Sequence, residues 1–214
     1  MWELLFIIAV LLIIIPILLP MLARSKRPAQ RRDCTNNLKC LNYAFRIWAG
    51  DNNDKYPMQV SVTNGGVMEL AEQGSAYEVF LVMSNELNTP KLLFCPADAM
   101  PNRIQANVFG SGTPPYAIPF SAPNTLSYFV GLDAEDTKPT TILAGDDHLS
   151  MAGVTPKPGL FLLPTNAPVE WRNERHPKDG NVALADGAVQ GFSSPAFRTA
   201  LVQTGIATNR LAMP

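Results

Sequence analysis

The run Leu4 to Ala23 constrains this chain more than any other stretch. Twenty consecutive residues carry no charge, with Glu3 before them and the basic cluster Arg24, Lys26, Arg27, Arg31 and Arg32 after them. At about 1.5 Å per residue, such a run in helical form matches the roughly 30 Å hydrocarbon core of a bilayer. A cleaved signal peptide fits less well, because its apolar part is only about 7–15 residues long, with basic residues before it and small ones at its end. The expectation is a retained transmembrane helix over 1–23, a basic juxtamembrane and amphipathic helix over 24–50, and a globular body over 51–214. Pro16 and Pro20 lie inside the run, where each removes a backbone donor, a loss that membrane helices tolerate. Glu3 either faces lipid headgroups or pairs with a positive group on a neighbouring subunit.

The net charge of -1 hides an asymmetry. Taking the five clustered basic residues and Glu3 from the totals of 17 and 18 leaves 12 basic against 17 acidic side chains in residues 33–214. A body with a net charge of -5 is a poor partner for nucleic acid, whose phosphates need clustered Lys and Arg. Membrane lipid is the expected partner of the basic cluster. The 19 Pro and 14 Gly point to short elements joined by many turns, and so to a sheet with loops.

Past the basic cluster, Cys34, Leu38, Leu41, Phe45 and Trp48 recur at alternating four- and three-residue steps, the stripe of an amphipathic helix that packs on a partner surface. Gly50 to Asp54 ends it. The segment Asp51 to Pro57 is not a calcium loop, because Lys55 and Tyr56 stand where a ligand and a glycine are needed. Ser75 and Glu78 form a capping box for a helix over 76–86. Leu92 to Asp98 reads as an apolar strand closed by a Cys-Pro turn, and 99–125 as a long surface loop. Leu126–Gly131 and Thr140–Ala144 are expected to pair antiparallel, and Gly159–Leu163 to add a strand. Asn181–Ala185 and Ala188–Phe192 flank Asp186-Gly187, read as a two-residue hairpin linker. Ser194-Pro195 opens a last helix to about Gln203, with Gly205 as its terminator.

Three cysteines, Cys34, Cys40 and Cys95, match no zinc spacing. On a helix, Cys34 and Cys40 stand about 9 Å apart along the axis, beyond disulfide reach, so any bridge uses Cys95. His176, Asp186, Asp146 and His148 are the residues that could bind a metal or move protons, with calcium the ion expected if there is one. Each also has a structural explanation: turn geometry for Asp186, packing for His176, a polar loop for Asp146. No nucleophile paired with a base and no phosphate-cradling glycine loop occurs, so no enzyme activity, cofactor or metal is expected.

The string Glu3 to Val10, continued by Leu18 to Lys26, resembles the N-terminal helix of type IV pilins and type II secretion pseudopilins. In that family an acid near the mature N-terminus and a kinking proline share the spacing of Glu3 and Pro20. Three further segments resemble pseudopilin-related proteins of planctomycete and verrucomicrobial genomes: Asn37 to Pro57, Phe94 to Asp98, and His176 with Asp186-Gly187 after nine residues, as in that group's His-X9-Asp-Gly signature. The resemblance implies an α+β, pilin-like fold, with a long N-terminal membrane helix packed on an antiparallel β-sheet and short additional helices. It implies that Glu3 neutralises the N-terminal amine of an adjacent subunit. Cys40 stands where relatives have glutamine, which implies a Cys34–Cys95 bridge.

The family's basic leader and the glycine before its processing site have no counterpart in this sequence, and Met1-Trp2 stands where family members have a longer hydrophobic lead-in, so peptidase processing is not carried over as an expectation. The basic cluster alone would keep the body in the cytoplasm. The resemblance instead implies a single-pass inner-membrane protein with a periplasmic body, which is the location expected. The function it implies is that of a membrane-anchored structural subunit in a secretion or pilus-type assembly, working by contacts with copies of itself or with other pilin-like subunits. The alternative is an anchored module on the same fold that binds a ligand or ion.

Overall fold

The computed structural model describes residues 2–110, 116–121, 123–176 and 178–214, with backbone alone at 17–27 and 123. One helix, α1 (Trp2–Asp51), occupies the first quarter of the chain. Its second half buries the stripe Cys34, Leu38, Leu41, Phe45 and Trp48, together with Ala44. Ile47, at the margin of that stripe, stays exposed. The helix stops where Asn52 Nδ2 donates to Trp48 O at 2.7 Å, and where Asn53 and Asp54 take φ of 56°. The polar segment after Gly50 is thus a helix cap, a job that Asn and Asp do well because they tolerate the left-handed region.

The expected membrane helix is corrected. Among the described residues no helix is long and apolar enough to cross a membrane.

The body is α+β. Short helices α2 (Met68–Glu72), α3 (Ala76–Val82) and α4 (Ser84–Leu87) follow α1, and α5 (Ser194–Gln203) lies near the end. Ser75 Oγ accepts from Glu78 N and starts α3, but the expected single helix over 76–86 breaks at Met83. Strands β1 (Val108–Phe109) and β2 (Pro119–Phe120) form a small parallel pair. The others are β3 (Tyr128–Gly131), β4 (Ile142–Asp146), β5 (Leu149–Met151), β6 (Gly159–Pro164), β7 (Val169–Trp171), β8 (Asp179–Leu184), β9 (Val189–Ser193) and β10 (Thr208–Met213). Six of these make an antiparallel sheet in the order β6-β10-β3-β4-β8-β9, while β5 and β7 pair separately.

Period-two alternation sends side chains to two cores. Tyr128, Val130, Ala183 and Ala212 face α1 and the short helices. Phe129, Val182 and Leu211 face the opposite side, where Trp171, Phe197 and Leu201 cover them. A bulge between Ile142 and Ala144 in β4 puts Leu143 and Ala144 on the α1 side together.

Two further expectations are corrected. The segment 92–98 is no strand: Thr89 Oγ1 caps a 3-10 turn over Pro90–Leu93, and the chain then bends through Cys95-Pro96. Asp186-Gly187 is not a two-residue linker. Leu184 N donates to Ala188 O at 2.9 Å and Gly187 N to Leu184 O at 3.1 Å, so Ala185, Asp186 and Gly187 form a three-residue loop with Gly187 at φ 95°. Central strand β10 went unread, because its first half, Thr208-Asn209-Arg210, lacks an apolar alternation.

Candidate functional site

The end of β4 delivers three polar residues in sequence, Asp146, Asp147 and His148, all buried. Around Asp147 lies a closed set of charges. Arg175 Nη2 sits 2.6 Å from Asp98 Oδ2 and 2.5 Å from Asp147 Oδ1, and Arg175 Nη1 donates to Ser127 O at 2.8 Å. Arg103 bridges the same two carboxylates, and Ser127 Oγ donates to Asp98 Oδ2 at 2.8 Å. Burial opposes charge on Arg175, but Asp147, Asp98 and Asp146 overcome it and raise its pKa. Two arginines and two aspartates thus neutralise one another out of water, tying the 95–103 segment to the end of β4. Removing one member of such a set would strand a buried charge, a loss of about 3–5 kcal/mol.

On the other side of β4 stand Asp146, His148 and His176. Asp146 Oδ2 accepts from Asn181 N at 2.8 Å and from Asn181 Nδ2 at 2.9 Å, while Oδ1 has no hydrogen-bond partner. Burial raises the Asp146 pKa. His148 Nε2 lies 3.1 Å from the Asp179 carbonyl, which can only accept, so Nε2 carries the proton and Nδ1 is an unpartnered lone pair. Burial drives the His148 pKa down to about 4 and does the same to His176, where Arg31 and Arg175 add to it. His176 Nε2 lies 3.8 Å from Asp146 Oδ2 and 3.6 Å from Cys95 Sγ.

Cys34 and Cys95 are joined by a disulfide, and Cys40 is free and exposed. Helix α1 holds the Cys95 segment on both sides of the bridge. Gln30 Nε2 donates to Pro96 O at 3.0 Å, and Asn37 Nδ2 to Phe94 O at 3.0 Å. Within the described residues, Cys34, Cys95 and His176 are the one group of potential metal ligands whose atoms all converge, within 4.8 Å of one another. Asp146, His148 and His176 do meet, but Asp186 belongs elsewhere. Its Oδ1 accepts from Ala188 N at 2.8 Å inside the hairpin loop, and its carbonyl accepts from Arg46 Nη1 at 3.2 Å.

From Asp179 to Asp186 the chain runs along α1 through four polar contacts. These are Arg31 to Asp179 at 3.1 Å, Thr35 Oγ1 to Asn181 Oδ1 at 3.2 Å, Asn42 Nδ2 to Leu184 O at 2.7 Å, and Arg46 to Asp186 O. Fifteen residues of helix rise about 22 Å, and the facing segment follows them with the six-residue strand β8 and the first two residues of its loop. Gly187 closes the far end, where a Cβ would meet Arg46 Nη1 at 3.1 Å.

Glu3 lies in the first turn of α1 and is exposed. The side chain of Pro20 lies outside the described residues. The buried Arg-Asp set went unread: Asp98, Arg103, Asp147 and Arg175 are scattered along the chain with no common spacing. No protein-family model, curated protein or solved structure matches this chain.

Proposed function

We propose that this chain is a structural subunit of a pilus- or secretion-type assembly, working through contacts between copies of α1. The observation that carries the reading is the division of that helix. Its second half is bound to the sheet, while every described side chain from Trp2 to Pro16 is exposed, including Leu5 at 65 %, Phe6 at 67 % and Leu12 at 69 %. Exposure all round the helix means that one neighbour covers only part of it, so several copies are needed. Each fully covered Leu, Ile or Phe contributes about 1.5–3 kcal/mol, enough over this segment to drive association. Glu3, the acid in the first turn, would then pair with a positive group of the adjoining copy, since an uncompensated charge inside an apolar bundle is costly.

The test is sedimentation and cross-linking of the full chain against Leu5→Glu/Leu12→Glu and Glu3→Ala. The native chain is expected to form oligomers, the double variant to be monomeric with an unchanged circular dichroism spectrum of the body, and Glu3→Ala to cross-link several-fold less. A monomeric native chain, or one that floats with lipid vesicles without self-associating, would overturn the reading.

A further inference from the structure

The corner where α1, the Cys95 segment and the end of β4 converge has a feature that the assembly reading does not use. Three side chains with metal-binding atoms, Cys34, Cys95 and His176, converge there in a buried setting, and the Asp146 carboxylate lies beside His176. Cys34 and Cys95 have no solvent exposure, His176 is 3 % exposed and Asp146 has none. With Zn–S near 2.3 Å and Zn–N near 2.0–2.1 Å, a tetrahedral ion sets its sulfur and nitrogen ligands about 3.6 Å apart. Cys95 Sγ and His176 Nε2 are 3.6 Å apart. Nitrogen and carboxylate ligands of such an ion stand about 3.4 Å apart. His176 Nε2 and Asp146 Oδ2 are 3.8 Å apart.

Asp146 supplies an independent sign. It is fully buried and keeps one carboxylate oxygen, Oδ1, without any hydrogen-bond partner, while Asn181 fixes the other. A bare buried carboxylate oxygen is costly unless something positive meets it. Asn181 takes the place such a group has beside a metal ligand, orienting the carboxylate through hydrogen bonds. A cavity of about 480 Å³, lined among others by Gln30, Arg31, Ala97 and His176, borders the corner on its His176 side.

We propose that reduction of the Cys34–Cys95 disulfide turns this corner into a binding site for one divalent ion of the zinc type, held by the two cysteine thiolates, His176 Nε2 and the Asp146 carboxylate. The conversion balances with a dithiol as reductant. Two electrons from the dithiol break the S–S bond, the dithiol closes to its own disulfide, and its two protons pass to Cys34 and Cys95. The ion then displaces those two protons as it binds both sulfurs. The bridge and the metal are alternative fastenings of the same helix to the same loop. No sequence motif marks the site, because Cys34 and Cys95 are 61 residues apart and Cys95 and His176 81 apart.

The test uses the full chain, reduced with a dithiol, freed of it under anaerobic conditions and titrated with Co²⁺ alone. The proposal expects a thiolate-to-cobalt charge-transfer band that saturates at one ion per chain, bleaches on adding Zn²⁺ and is absent from the oxidised chain. His176→Ala should weaken Co²⁺ binding at least tenfold, and Asp146→Asn by a smaller factor. If the reduced chain loses its circular dichroism signal, Zn²⁺ should restore it in the native sequence but not in His176→Ala. No band in the reduced chain, no recovery of the fold with Zn²⁺, or variants that titrate like the native chain would each show the bridge to be a structural disulfide only.

Discussion

His148 and His176 are held neutral by their surroundings, and that ties the stability of the fold to pH. Burial is the largest influence on both and lowers each from an ordinary 6.5 to about 4. As pH falls below 6.5 the unfolded chain takes up protons that the folded chain refuses, so the stability these groups contribute is complete above 6.5 and drains away towards about 4. Asp146 acts with the opposite sign. Its pKa is raised from 3.8, so its contribution is complete below 3.8 and is lost as pH rises. Urea midpoints measured from pH 7 to pH 4 should therefore decline, and should decline less steeply in His148→Gln. Equal slopes in the two chains would mean that His148 takes up its proton without cost. None of this was legible in the sequence, where Asp146-Asp147-His148 looks like a polar loop; the β4 register buries it.

At the scale of elements, β7 and β8 approach each other closely in the second core. The backbone of Gly180 runs under the Trp171 ring, so that a Cβ there would come within 2.4 Å of ring carbons. Gly180→Ala must push Trp171 off Phe197, whose ring centroid is 4.9 Å away, or shift β8 itself. The expected cost is about 1–3 kcal/mol, as for overpacking elsewhere, read as a lower denaturation midpoint together with a change in Trp fluorescence. An unchanged midpoint would show that the ring has room to move. Elements with a clear period were readable: the α1 stripe from Cys34 to Trp48, and the apolar runs of β3 and β4. Elements that depend on distant partners were not. Thr208-Asn209-Arg210 gives no strand signal, yet Leu163 and Leu162 pair with Asn209 and Arg210 and make them part of a central strand.

For the whole molecule, the disulfide closes a separation of 61 residues between α1 and the loop that holds the Arg-Asp set. In the chain-entropy description a closure of that length is worth about 4 kcal/mol, because the open chain has so much freedom to lose. Cys34→Ala/Cys95→Ala should lower stability by about that amount in denaturant titrations, while Cys40→Ala, at an exposed position, should leave it unchanged. A double variant as stable as the native chain would mean that Gln30 and Asn37 hold the loop unaided. The sequence also misleads most at this scale. Its uncharged run has the length of a membrane span, whereas among the described residues no helix is long and apolar enough to cross a membrane.

The segment from Asp179 to Asp186 is not fastened to α1 alike along its course. At the Arg31 end the contacts join side chain to side chain, Arg31 with Asp179 and Thr35 with Asn181. At the Arg46 end the helix grips carbonyl oxygens of Leu184 and Asp186, which any residue would supply. The strand is a ruler nailed down at one end and merely laid flat at the other. Exchanges of residue type should matter near Asp179 and at Gly187, with its φ of 95°, while at the Leu184 and Asp186 carbonyls only insertions or deletions should matter.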